Sequence, residues 1–173
     1  VPNDVSTVYD FAQELLALIA SALATTDAGA PATQYVAPEL PSIDCCPAII
    51  VAASSIAMEN TAPNSPPAQV GHRTQVGWIN LLTLAAWTVR CTPQPVAGQL
   101  PNTTEMNAAS LQIHQDLWAT WNFITTAARQ GSLFEGRCQA IYVDPPNPLN
   151  DAGGCGGWVW QVRTAIEGYT VSP

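Results

Sequence analysis

Between Thr74 and Thr92 the chain reads TQVGWINLLTLAAWTVRCT, and it is apolar at odd and even positions alike. Val76, Trp78, Leu82, Leu84 and Ala86 share one face of an extended chain, and Ile79, Leu81, Ala85, Trp87 and Val89 share the other. A strand with one wet face would alternate apolar and polar residues; this one does not. The stretch therefore reads as one long strand, or two joined at a kink. It lies centrally under helices, or runs on from its own subunit into an interface. A second long strand closes the chain after the glycine-packed GGCGG. It has Trp158, Trp160, Val162, Thr164 and Ile166 on an apolar face and Val159, Gln161, Arg163, Ala165 and Glu167 on a mixed one.

The remaining elements follow from spacing. Val8, Phe11, Ala12, Leu15, Ile19, Ala22 and Leu23 recur at helical intervals, predicting a first helix over residues 4–26 with Asn3 or Asp4 as its cap. Gln34 to Ala37 reads as extended chain. AIIVAASSIAM, Ala48 to Met58, reads as a strand, although its alanines also permit a helix. Asn102 with Glu105 offers a capping box for a second helix reaching Gln130, stopped by Gly131. Its apolar side is expected to hold Leu111, His114, Leu117, Trp118, Trp121, Ile124, Thr125 and Ala128, while Asp116 and Glu105 solvate the helix. Cys138 to Asp144 is a short strand. The fold class expected is α+β, with two helices packed on an antiparallel or mixed sheet of about four strands. A single domain spans 1–173, with proline-rich loops at 27–47, 59–73, 92–102 and 144–157.

Charge narrows the function. Hydrophobic residues make up 47% of the chain and charged ones 10%, and the only strong cations are five arginines, for a formal net charge of -8. Tight nucleic-acid binding needs clustered cations, so it is not expected. So low a charge content points to a surface of neutral polar residues or one partly covered by other subunits. No apolar run approaches the roughly eighteen residues that would suggest a membrane span. The first helix carries Asp4, Asp10 and Glu14 with no basic flank, so it is not expected to be a signal peptide, and a cytosolic or particle-associated protein is the default.

Catalytic patterns are sparse. The five cysteines, Cys45, Cys46, Cys91, Cys138 and Cys155, are an odd number in a chain long enough to fold without staples; free thiols are the simpler reading and a disulfide stays open. A metal site would need ligands at short spacing, yet only Cys45 and Cys46 are close in sequence, and His72 and His114 stand apart. His114 reads as a hydrogen-bonded core or interface histidine, and Trp118 with Trp121 as packing before ligand cage. The glycines of 153–157 read as a tight turn with positive φ. No catalytic, cofactor or metal residue is assigned, and no cofactor is expected.

In order, QYVAPELPSIDCCPAIIVAASSI, then WTVRCTPQP, a helix, and GRCQAIYVDPPNPLNDAGGCGGWVWQVRTAIEGY resemble the tail terminator proteins of actinobacterial long-tailed phages (siphoviruses). Gln34 to Pro38, Asp44-Cys45, Arg90-Cys91-Thr92-Pro93 and Gly153-Gly154 hold the places of that family's short motifs. Glu39, where a glycine is common, and the doubled cysteine at Cys46 depart from the pattern. The resemblance implies a structural virion protein of the tail and neck, assembled in the host cytoplasm. It would be a homohexameric ring that caps the tube of major tail protein, ends its polymerisation and joins tail to head connector. DNA would pass through its acidic lumen without tight binding. Trp78, Trp87, Arg90, Arg163 and Glu167 are the candidate interface residues, with Arg163 expected to pair with a neighbour's acid. A neighbouring adaptor or stopper protein is the near alternative, although a stopper is expected to be a small barrel and an adaptor mainly helical. A small thiol- or metal-dependent enzyme around Cys91, Cys138 and Cys155 is the alternative of another class, and an extracellular module with two disulfides a third.

Overall fold

The apolar stretch forms the middle of a sheet because both its faces have somewhere to go. In the computed structural model, residues 5–39, 41, 43, 46–60, 78–95, 99–149 and 154–167 are described, without the side chains of residues 5, 6, 58–60, 78–80 and 167. The elements are α1 (Val5–Leu23), β1 (Thr33–Ala37), β2 (Ala48–Asn60), β3 (Trp78–Cys91), α2 (Thr103–Gln130), β4 (Ala140–Val143), β5 (Asn147–Leu149) and β6 (Cys155–Glu167). They make one α+β domain: two helices on a six-stranded mixed sheet ordered β1-β2-β3-β6-β4, with β5 beside β4 on the same edge of β6. β1 runs parallel to β2, and all other pairs are antiparallel.

Both helices cover the same face. Phe11, Leu15, Ile19 and Leu23 of α1 and Ile124 and Ala127 of α2 pack on Ile49, Val51, Leu82, Leu84, Ala86, Trp160, Val162 and Ile166. Val51, Ala86 and Trp160 stand in one row across the ladders and Leu84 faces Val162, so three strands contribute to one apolar surface. The opposite face holds a smaller cluster, Ala37, Ala48, Ile50, Ala52, Ala85, Trp87, Val89 and Cys155, covered by Ile43, Cys46 and Leu149. The doubly apolar pattern of β3 thus serves two unequal cores within one chain.

Three elements differ from expectation, each because of the strand beside it: β1, β5 and the start of β6. The sheet has six strands where about four were expected, because the extended Thr33–Ala37 finds β2 and the proline-bearing Asn147–Leu149 finds the edge of β6, where Pro148 is tolerated. The closing strand begins at Cys155, three residues before Trp158, so Gly156 and Gly157 belong to it rather than to a turn. At Gly157 a Cβ would lie 1.9 Å from the Thr88 carbonyl oxygen, so β3 and β6 approach there as only glycine permits. Gly157→Ala is expected to cost about 3 kcal/mol, read as a lower urea midpoint. Gly136→Ala, at φ +68 in open space, is expected to cost only about 1 kcal/mol.

The second helix forms where expected, but turned. The Asn102 side chain accepts from the Thr104 N–H at 2.9 Å, and Gly131 ends the helix at φ 68. Its buried line is Asp116, Thr120, Ile124 and Ala127, flanked by Leu117 and Trp121. Leu111 and Trp118, expected inside, are 60% and 67% exposed, and Asp116, expected in solvent, is buried. The cause is Arg90 of β3, which points at this helix and requires a carboxylate on the inner side.

Candidate assembly surface

The sheet gives the molecule two distinct ends. At one end lie the start of β2, the end of β3, the start of β6 and β5, and with them the openings of the loops after Thr92 and Asp144. Here α2, about 42 Å long at 1.5 Å per residue, overhangs the sheet, and Thr103 to Ala108 are all exposed. Leu100, Met106 and Leu111 are exposed at this end as well. At the other end β2, β3 and β6 run on together as far as the Asn60–Trp78 and Ile79–Glu167 pairs.

Two features of the hairpin half are open. β1 stops pairing with β2 at Ala52, and from Ala53 to Asn60 no strand pairs with the outer edge of β2 among the described residues. Ser54, Ser55, Ile56 and Ala57 are exposed along it, Ile56 by 60%, with a bulge between Ala53 and Ser55. The helix-free face of this half is open too: Ala57, Ser55, Gln161 and Tyr142 are exposed, and Thr83 and Leu81 half-buried. A strand edge left unpaired, here with Glu59 as its one charged residue, is a template for another chain's strand. A charge-poor face beside it has the composition of an interface centre.

The expected interface residues divide. Trp87 is buried in the smaller cluster of its own chain. Arg90 is no surface residue: it is 5% exposed, its Nε and Nη2 donate to the Asp116 carboxylate at 2.6 and 3.1 Å, and Nη2 also donates to the Gly29 carbonyl at 2.6 Å. The Thr26 hydroxyl, which donates to the Leu23 carbonyl at 2.8 Å, also lies 3.3 Å from the Asp116 carboxylate, so one buried pair ties the α1 exit, β3 and α2 together. Local periodicity gives no signal for this cluster, whose members lie far apart in the chain. Arg163 lies on the open face, but its acid is its own: Nη2 donates to Asp144 at 2.6 Å, and the guanidinium stands 6.0 Å from the Tyr142 ring. An arginine already neutralised within the chain adds no bare charge to that face. The side chains of Trp78 and Glu167 lie outside the described residues.

No protein-family model matches the chain, and no curated protein matches it.

Possible chemistry can be placed residue by residue. Cys138 bonds the Phe134 carbonyl and stands apart from Cys91 and Cys155, so the three expected to share an enzyme site do not meet. Cys46 joins Cys91 and Cys155 instead, and burial, reinforced by those two thiols, pushes its thiol pKa up. A thiol held protonated is a poor nucleophile. Among the described residues no group of three or more His, Cys, Asp or Glu could hold a metal ion. His114 is exposed, bonded to the Ser110 carbonyl at 2.7 Å, with its ring against the edge of Trp158. An open groove of about 400 Å³ between the helices is lined by Leu18, Asn122, Phe123, Thr126, Gln130 and Ser132, none of them titratable. Among the described residues no helix is long and apolar enough to cross a membrane.

Proposed function

We propose that this protein is a structural ring component of a long-tailed phage, a tail terminator that caps the tail tube and joins it to the head connector. The ordered sequence elements support the family, and the open edge of β2 is the observation that carries self-assembly. In this reading a second copy lays a strand along Ala53–Asn60 and covers the neighbouring charge-poor face, where Arg163 is already paired with Asp144. Head-to-tail repetition of such a contact closes into a ring when its rotation allows. Termination then needs no bond chemistry: the ring occupies the tube's growing face and offers no equivalent face to the next tube subunit. The two ends suit this task, with the overhanging α2 and the loop openings at one and the β2–β3–β6 extension at the other. A chain at -8 repeated around a lumen repels DNA phosphates and lets the duplex slide.

The open sheet supports a terminator over a barrel-built stopper, and the central sheet over a mainly helical adaptor. The thiol-enzyme reading loses support from the separation of Cys138 from Cys91 and Cys155.

Electron microscopy of the chain mixed with the tail tube protein of the same phage tests this reading. Tubes of uniform length with a ring at one end are expected; tubes that grow without limit, with the chain unbound, would contradict it. Ile56→Lys places a charge on the exposed edge and is expected to leave folding stability within about 0.5 kcal/mol while abolishing rings. Rings formed as readily as by the parent chain would show that this edge is not the contact.

A further inference from the structure

Apart from the assembly surface, the fold gathers three thiols at its loop-bearing end. Cys91 closes β3, Cys155 opens β6, and the two are direct partners across the ladder. The next pair outward is hydrogen-bonded, since the Thr92 N–H donates to the Gly154 carbonyl at 2.8 Å. Bonded and non-bonded pairs alternate in an antiparallel ladder, so Cys91 and Cys155 form a non-bonded pair, whose Cα atoms approach to about 4.5 Å and whose side chains are closest. That separation lies within the roughly 4.4–6.8 Å that a disulfide spans. Both side chains lie on the helix-free face, Cys155 buried in the smaller cluster and Cys91 exposed. Cys46 completes the group: its carbonyl accepts from the Cys91 thiol at 2.9 Å, and its own Sγ lies 3.6 Å from the Gly154 carbonyl oxygen.

We propose that Cys91 and Cys155 are a redox pair, converted by a small-molecule disulfide into a cross-strand bridge that locks β3 to β6 at the loop-bearing end. Cys91 is the thiol that solvent reaches, so it reacts first. Its thiolate, having released its proton to water, attacks one sulfur of oxidised glutathione. This gives a mixed disulfide and one glutathione thiolate, which takes up a proton. The Cys155 thiolate, its proton likewise released, then displaces the second glutathione from the Cys91 sulfur, leaving the protein bridge. Two protein thiols are oxidised and one glutathione disulfide is reduced to two thiols. Cys46, kept protonated by burial, does not compete as the attacking group. This inference stands on strand register and is independent of the ring reading.

The test is to treat the full chain with oxidised glutathione, block remaining thiols with iodoacetamide, and map disulfide-linked peptides by mass spectrometry. A Cys91–Cys155 link is expected, with Cys45, Cys46 and Cys138 alkylated. Cys155→Ser is expected to stop at a glutathione adduct on Cys91, and Cys46→Ser to form the bridge unchanged. The bridged chain is expected to unfold at higher urea than the reduced chain, with dithiothreitol reversing the shift. A bridge involving Cys46, all five thiols free after treatment, or a Cys91–Cys155 bridge that lowers the urea midpoint would each overturn the proposal.

Discussion

Asp116→Ala is expected to destabilise the fold by about 3–5 kcal/mol, because it leaves the Arg90 guanidinium buried without its carboxylate. Arg90 would keep only its bond to the Gly29 carbonyl, while the Thr26 hydroxyl keeps its shorter bond to the Leu23 carbonyl. The effect appears as a lower urea midpoint at unchanged slope. Asp116→Asn is expected to recover only part of the loss: the neutral amide can still accept a hydrogen bond but does not balance the charge. The informative companion is the double change Arg90→Met with Asp116→Leu, which removes both charges and fills the same space. It is expected to lie within about 1 kcal/mol of the parent, since a buried pair roughly breaks even against apolar packing. A large loss in the double variant would mean that the bonds themselves, and not the stranded charge, carry the cost.

Trp160→Ala is expected to cost about 3–5 kcal/mol, lowering the midpoint of thermal unfolding by roughly 10 °C. Trp160 is fully buried at the middle of β6, opposite Ala86 of β3, and it packs under both helices. Its indole N–H reaches the Thr88 hydroxyl at 3.4 Å, a long bond whose loss is minor beside the cavity. Trp160→Phe therefore should cost about 1–2 kcal/mol, keeping most of the buried surface and losing the bond. Equal losses in the two variants would indicate that the bond dominates and that the packing account of this site is mistaken.

What could be read along the chain was whatever depends on neighbours in sequence. The double apolar pattern of β3, the stripe of α1, the Asn102 cap and the Gly131 stop all act within a turn or a strand, and each appears where its residues stand. Partners distant in sequence left no such trace. β1 is a strand because β2 offers it an edge, and β5 forms despite Pro148 because β6 does the same. α2 carries apolar residues on more than one side, so its stripe alone did not decide which side faces in. The carboxylate demanded by Arg90 selects the side with Asp116 and leaves Trp118 exposed. The glycines before Trp158 looked like a turn for the same reason: the closeness of the Thr88 backbone is a property of the neighbouring strand.

For the candidate assembly surface, low charge content pointed either to neutral polar surface or to surface covered by other subunits, and carried no location. The open edge of β2 arises from the short reach of β1, which ends its pairing at Ala52 while β2 continues to Asn60. Arg163 was expected on the outward face and is there, yet its Nη2 pairs with Asp144 from the loop that follows β4 and not with a neighbour's acid. At 42% and 29% side-chain exposure that ion pair orients the arginine more than it stabilises the fold.

The most direct measurement of the proposed ring role is the native mass of the purified chain, alone and at the ends of tubes built from a long-tailed phage's tail tube protein. The ring account predicts six copies of the 18.3 kDa chain as one closed species, in solution or at the tube end. A chain that remains a single 18.3 kDa copy in both settings would contradict it.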